Sequence, residues 1–281
     1  MSVQSAHNSP VIPASGQGLR IGVFDSGVGG LSVLRAIRRQ LPLADLVYVA
    51  DSANAPYGER DDAFISDRCH AISHFLSQQR VDGIVVACNT ATAIAVQGLR
   101  DALPALPIIG VEPGIKPGIA QSKNKRVGVL ATPGTMASAK FKALVEAQGR
   151  EATLVLQPCP GLAKEIESGS LDRPELQSLI NQFCAPLIQA HVDTVVLGCT
   201  HYPFATHLFR QALGPDVTLL DTADAVARRT ADLLRPVQAT LAANAGSQPS
   251  IELWTTGSAD HLASVSSNWL GWQLQAKPLR Y

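Results

Sequence analysis

Val81–Ala93 reads VDGIVVACNTATA, and Val192–Phe204 reads VDTVVLGCTHYPF. Each stretch opens on Val-Asp and runs through a short apolar, β-branched segment. Each then ends in a small residue and a cysteine, with polar residues after it. Cys88 and Cys199 lie at the same distance past their own Val-Asp pair, so the stretches share a register at an offset of 111 residues, from 81 to 192 and from 88 to 199. Apolar runs of this length read as buried parallel strands. Residues just past the carboxyl end of such a strand are where open α/β sheets keep their ligand sites. The pattern predicts two similar α/β halves, each offering one thiol to a shared cleft.

Working outward, Leu19–Phe24 (LRIGVF) predicts a buried strand, and Asp25–Gly30 (DSGVGG) turns it into a helix over Leu31–Leu41 that Pro42 ends. Leu46–Ala50 is a second strand, Asp51–Arg60 an irregular loop, and Asp61–Gln79 a helix leading to the first cysteine strand. A helix follows Cys88 to about Leu103, then a short strand over Leu106–Val111, then EPGIKPG. The pattern restarts at Lys125–Leu130 (KRVGVL), and Ala131–Thr135 (ATPGT) mirrors DSGVG. A helix to Gln148, a strand over Ala152–Leu156 and a helix over Leu171–His191, broken near Pro186, lead to the second cysteine strand. Val217–Leu220 is a strand, and Asp221-Thr222 caps a helix over Ala223–Leu234. Gln238–Pro249 reads as an exposed loop, followed by strand Ile251–Thr255, helix Asp260–Leu270 and strand Trp272–Leu279.

This alternation predicts a mostly parallel sheet in each half. The offset drifts from 106 residues at Gly22 and Gly128 to 111 at the cysteines, as a duplication with small insertions would give. The expected division is a flexible tail over 1–19, a first α/β domain over 20–113 plus 223–281, and a second over 114–222.

The totals narrow the class. The chain of 281 residues is 46% hydrophobic, enough for a sizeable core, and its formal net charge is zero. A neutral chain argues against nucleic acid or an acidic membrane surface as a bulk partner. No apolar run reaches the length of a membrane span. Residues 1–19 have neither the basic start nor the apolar middle of a secretory signal. Five cysteines, an odd number, fit a reduced cytoplasmic compartment better than a disulfide framework. Cys69 and Cys184 fall in helical patterns and read as core residues; Cys159, in PCPG, has no chemical case.

Cys88 and Cys199 stand between a strand end and a helix start, where a thiolate is favoured. One such cysteine would read as a small core hydrophobe; two in matched positions do not. A zinc site from Cys88, Cys199 and His201 lacks further ligands, and neither CxxC nor HxxxH occurs. The missing CxxC also argues against a redox dithiol. Gly27-x-Gly29-x-x-Ser32 nearly matches a dinucleotide loop, but its third glycine is missing and Asp25 would face the phosphate. Asp25 can instead relay a proton for Cys88 or cap the helix. His201 can orient or deprotonate Cys199. Tyr57 could offer a hydroxyl and Gly58 a close backbone approach. Thr132 and Thr135 could cap the next helix or hold a carboxylate. Two thiols on opposite walls can remove a proton from one face of a carbon and return one to the other, inverting it. Nothing in the sequence calls for pyridoxal phosphate or a metal.

IGVFDSGVGG, YVADSANAPYG, VVACNTATA, GVEPGIKP, VGVLATPGT and VLGCTHYPF, in this order, resemble the cofactor-independent glutamate racemases of the aspartate/glutamate racemase superfamily. The likeness runs from about Arg20 to at least Asp224. It implies two α/β domains related by a pseudo-twofold axis, with the site between them and no cofactor. It also implies interconversion of L- and D-glutamate, supplying D-glutamate for peptidoglycan. By the same likeness, Cys88 would deprotonate D-glutamate with help from Asp25, and Cys199 would deprotonate L-glutamate with help from His201. Asp25, Ser26, Tyr57, Gly58, Asn89, Thr90, Thr200 and His201 would bind substrate. Glu167 falls where the family often has a further acidic residue, though a solvated helix Glu is its plainer reading. A homodimer is one assembly the likeness allows. The competing readings are a racemase for aspartate or another amino acid, and a non-catalytic two-domain binder, which would have no need of paired thiols.

Overall fold

The computed structural model describes residues 18–241 and 248–280. Most of the expected tail, and residues 242–247 of the expected loop, lie outside the described residues. The first half runs β1 (Arg20–Asp25), α1 (Leu31–Gln40), β2 (Asp45–Ala50), α2 (Asp62–Gln78), β3 (Gly83–Val86), α3 (Asn89–Ala102) and β4 (Ile108–Gly110). After α4 (Ile115–Gln121) the second runs β5 (Arg126–Ala131), α5 (Pro133–Ala137), α6 (Ala139–Gln148), β6 (Thr153–Pro158), α7 (Leu162–Glu167), α8 (Pro174–Gln189), β7 (Thr194–Leu197), α9 (Thr206–Leu213) and β8 (Thr218–Leu220). Then come α10 (Ala223–Leu241), β9 (Ile251–Thr255), α11 (Ala259–Leu270) and β10 (Ala276–Pro278).

One sheet has the order β10-β9-β2-β1-β3-β4 and the other β6-β5-β7-β8. All their pairings are parallel. The order β2-β1-β3-β4 is repeated strand for strand by β6-β5-β7-β8, so the duplication read from the cysteine stretches holds in the topology. In each sheet the chain leaves the first strand on one side and returns on the other. Asp25 and Cys88 emerge at that switch point in the first sheet, and Thr132 and Cys199 in the second.

The strands that carry the site are apolar on both faces because helices cover both. Ile21, Val23 and Phe24 of β1 are fully buried, as are Ile84, Val85 and Val86 of β3 and Val195 and Val196 of β7. Each such side chain contributes about 1.5–3 kcal/mol, so the strand ends are anchored firmly under the site.

Three expectations need correction, and one stretch gains an element: α4 forms in EPGIKPG, with Pro117 in its first turn, where a missing N–H breaks no helical bond. Ile115 and Ile119 then pack with Val127 and Val196. α8 runs unbroken through Pro186, since Phe183, Cys184 and Leu187 hold it against the core. α10 likewise passes Pro236 and reaches Leu241, so the expected loop begins as helix. The last strand is shorter, Ala276–Pro278, because Trp272 and Leu274 turn toward the core instead of pairing.

Candidate active site

Cys88 is the N-cap of α3, and its sulfur accepts from the Ala91 amide at 3.5 Å. The thiol faces the Ser26 hydroxyl at 3.8 Å, and that hydroxyl lies 3.4 Å from Asp25 Oδ1. Asp25 is fully buried. Its carboxylate accepts from the amides of Ser26 (2.8 Å) and Gly30 (2.6 Å) and from Thr200 Oγ1 (3.2 Å). Burial pushes its pKa up to about 6, against the pull of His201 and the bonds it accepts. Burial, then the charge of Asp25, also raises the Cys88 thiol. A thiol raised this way keeps its proton, and its conjugate base is correspondingly strong.

On the opposite wall, Cys199 Sγ lies 3.7 Å from His201 Nδ1, and His201 Nε2 lies 2.6 Å from Glu167 Oε2. Burial alone would lower the imidazole pKa; its contacts with Cys199 and Glu167 outweigh that and hold it well above the ordinary value. The shift favours the charged form of His201, set between an acid and a thiol. Glu167 is not the solvated helix residue its position suggested. It also accepts from the Val28 amide and the Ser52 hydroxyl, each at 2.8 Å, and so ties α7 to the first half.

The two arms meet in one chamber. Ser26, Tyr57, Gly58, Cys88, Asn89, Thr90, Cys199, Thr200 and His201 all line it, together with Thr132 and Thr135, and its free volume is about 10 Å³. That is space for about one water molecule. Further bonds join its walls: Thr90 Oγ1 meets Thr132 Oγ1 and Thr135 Oγ1 at 3.0 Å each, and Ser32 Oγ donates to Thr200 O at 3.1 Å. Thr132 caps α5 by accepting from the Thr135 amide. Every residue singled out for catalysis or binding is thus in or against one chamber, Asp25 through Ser26.

Three features were missed or misread. The hydroxyl of Tyr57 donates to Asp51 at 2.5 Å, so it is already engaged. Asp51 itself was not singled out, although it directly follows β2, next to Asp25 at the end of β1. The glycines of DSGVGG, whose likeness to a phosphate loop the sequence already argued against, have a packing role that it did not show. A β-carbon at Gly27 would stand 2.2 Å from the Glu167 carboxylate, and one at Gly29 would stand 2.4 Å from His201 Nδ1. The loop is bare because the second half's histidine and glutamate press against it. Among the described residues no group of three or more His, Cys, Asp or Glu is placed to hold a metal ion, and no helix is long and apolar enough to cross a membrane.

Two parallel sheets closing on one chamber make this a two-domain α/β racemase fold, and the relatives agree. The model of the Asp/Glu/Hydantoin racemase family matches residues 21–230. A glutamate racemase of Pseudomonas aeruginosa is 43% identical over 245 residues, which is 87% of this chain and 91% of that protein. The structure of Escherichia coli glutamate racemase in complex with L-glutamate and an activator superposes with a TM-score of 0.81 at 31% identity, covering 94% of this chain and 98% of that one. That of Francisella tularensis glutamate racemase in complex with D-glutamate gives 0.80 at 28%, with the same coverage. The chain belongs to the Asp/Glu/Hydantoin racemase family, and it is an isomerase.

Proposed function

We propose that this chain is a glutamate racemase that interconverts L- and D-glutamate by two thiols, without a cofactor. It would work in the cytoplasm, supplying D-glutamate for peptidoglycan. The observation that carries this reading is the pairing of Cys88 and Cys199, from equivalent strand ends of two repeated halves, on one chamber. Glutamate is the amino acid held by the solved relatives above.

With substrate between the walls, one thiolate takes the α-proton and the opposite thiol gives one to the other face. Cys88 would take the proton of D-glutamate, and Asp25 would draw the thiol's own proton away through Ser26. Cys199 would act on L-glutamate, with the His201 imidazolium stabilising its thiolate and Glu167 holding that charge in place. Asn89 and Thr90 at the start of α3, Thr200 and His201 after β7, and the backbone of Tyr57-Gly58 would hold the carboxylates and ammonium. Amides at a helix start favour anions.

Proton NMR in D₂O tests the reading. D-glutamate incubated with the purified protein, with nothing added, is expected to lose its α-proton signal as L-glutamate forms in a chiral assay. Exchange with aspartate but not glutamate would change the substrate, and exchange with neither would overturn the reading.

The raised pKa of Asp25 gives a second expectation. Below about pH 6 its carboxyl is protonated and cannot take the thiol's proton. A profile of kcat/KM against pH reports the free enzyme and should fall on the acid side below that value. The acid limb should be lost in Asp25→Asn. The same shift bears on stability. Between the unfolded value of 3.8 and about 6 the folded chain holds a proton that the unfolded chain releases, so this residue's contribution falls as pH rises through that window.

A further inference from the structure

Asp51 stands at the carboxyl end of β2, fully buried, and its amide donates to Asp25 O at 3.0 Å. It lies one strand away from the chamber and does not line it. Its carboxylate is saturated. Oδ1 accepts from Arg68 NH2 (2.9 Å), Asn54 Nδ2 (3.0 Å) and Thr256 Oγ1 (2.8 Å), and Oδ2 from Arg68 Nε (3.0 Å) and the Tyr57 hydroxyl (2.5 Å). Burial would push its pKa up, but these bonds more than offset that, with Arg68 foremost, and the group stays below the usual carboxylate range.

Burying a charge is costly unless every lone pair is met, and a carboxylate so fully met has no capacity left for substrate. Its effect must pass through its partners, and those partners are specific. Asn54 and Tyr57 belong to the loop between β2 and α2, Arg68 to α2, and Thr256 to the end of β9. The loop carries Tyr57-Gly58 to the chamber wall, where Gly58 packs so closely that a β-carbon there would stand 2.6 Å from Thr132 Cβ. It also carries Ser52, whose hydroxyl donates to Glu167.

We propose that Asp51 is the positioning residue of the substrate-binding loop: it gathers α2, the loop and β9 around one charge and so sets where Tyr57-Gly58 meet the amino acid. The proposal rests on the glutamate racemase reading. It separates binding from chemistry. The loop holds substrate and carries neither thiol, and Ser52 is only one of the groups that hold Glu167, which also bonds Val28 and His201.

Asp51→Asn puts an amide against donors on whichever side its nitrogen falls, and Tyr57→Phe removes a single bond. Steady-state rates with D- and L-glutamate are expected to show KM raised at least tenfold in Asp51→Asn, with kcat changed less than threefold. Tyr57→Phe should raise KM by a smaller factor, and the double variant should fall short of the product of the two. A KM unchanged in both folded variants, or a fall in kcat at constant KM, overturns the role. If Asp51→Asn does not fold, the same split in Tyr57→Phe decides. Wild-type protein is assayed alongside. If it does not turn over glutamate, the reaction assignment fails; if it does and the variants match it, the positioning role alone fails.

Discussion

Replacing either Cys88 or Cys199 by Ser is expected to remove ~10²–10⁴-fold of the racemisation rate, the usual contribution of one positioned general acid or base. The exchange is nearly isosteric. Both cysteines sit just past strand ends, 6% and 8% exposed, and neither is disulfide-bonded. The sheet beneath them is held by fully buried Val and Ile side chains that the substitution does not touch, so the thermal midpoint should move by only a few degrees. What changes is the acid. A serine hydroxyl is far weaker than a thiol, even one raised by burial as Cys88 is. It cannot become an anion on this wall beside Asp25. The measurement is racemisation by a chiral assay, with circular dichroism to establish the fold. Full activity in either variant would sink the two-base mechanism.

Gly29→Ala should cost nearly as much, although Gly29 bears no functional group. Its new β-carbon would stand 2.4 Å from His201 Nδ1 and 2.7 Å from Cε1 and Cγ. Separations under about 3 Å force something to move, and the ring has little freedom. It is 2% exposed and fixed at one nitrogen by Glu167 and at the other by Cys199. Pushing the imidazole away lengthens one or both of these contacts. Displacements of this size at a catalytic group typically cost about 10²-fold. We expect a loss of that order in kcat, with the fold retained, because Gly29 lies in a turn before α1 and its own backbone needs no change. A variant with wild-type kcat would mean that His201 is not held by this contact.

How far the sequence reaches can be traced through particular residues. β3 and β7 were legible because strands buried on both faces are continuous apolar runs, and their two cysteines fix the repeat. Asp25 and His201 were legible because they sit next to the strand ends. Glu167 was not. Its helix is six residues long, and its partners Val28, Ser52 and His201 lie more than thirty positions away in the chain. No local periodicity encodes such contacts. Asp51 was hidden differently: the loop after β2 looks irregular, and only the folded chain brings Arg68 and Thr256 to it. Pro186 misled in the opposite direction. A proline argues for a break, but Phe183, Cys184 and Leu187 hold α8 against the core on either side of it.

Room for one water is not room for an amino acid. The fold therefore works as an airlock. The walls joined by Ser32 and Thr200, by Thr90 and Thr132, and by Glu167 and the first half must part for each glutamate to enter and again for each to leave. Closed, they keep bulk water from the carbanion, so that the returning proton comes from a thiol and not from solvent. Wherever that parting is slower than the proton transfers, it and not the thiols sets the turnover.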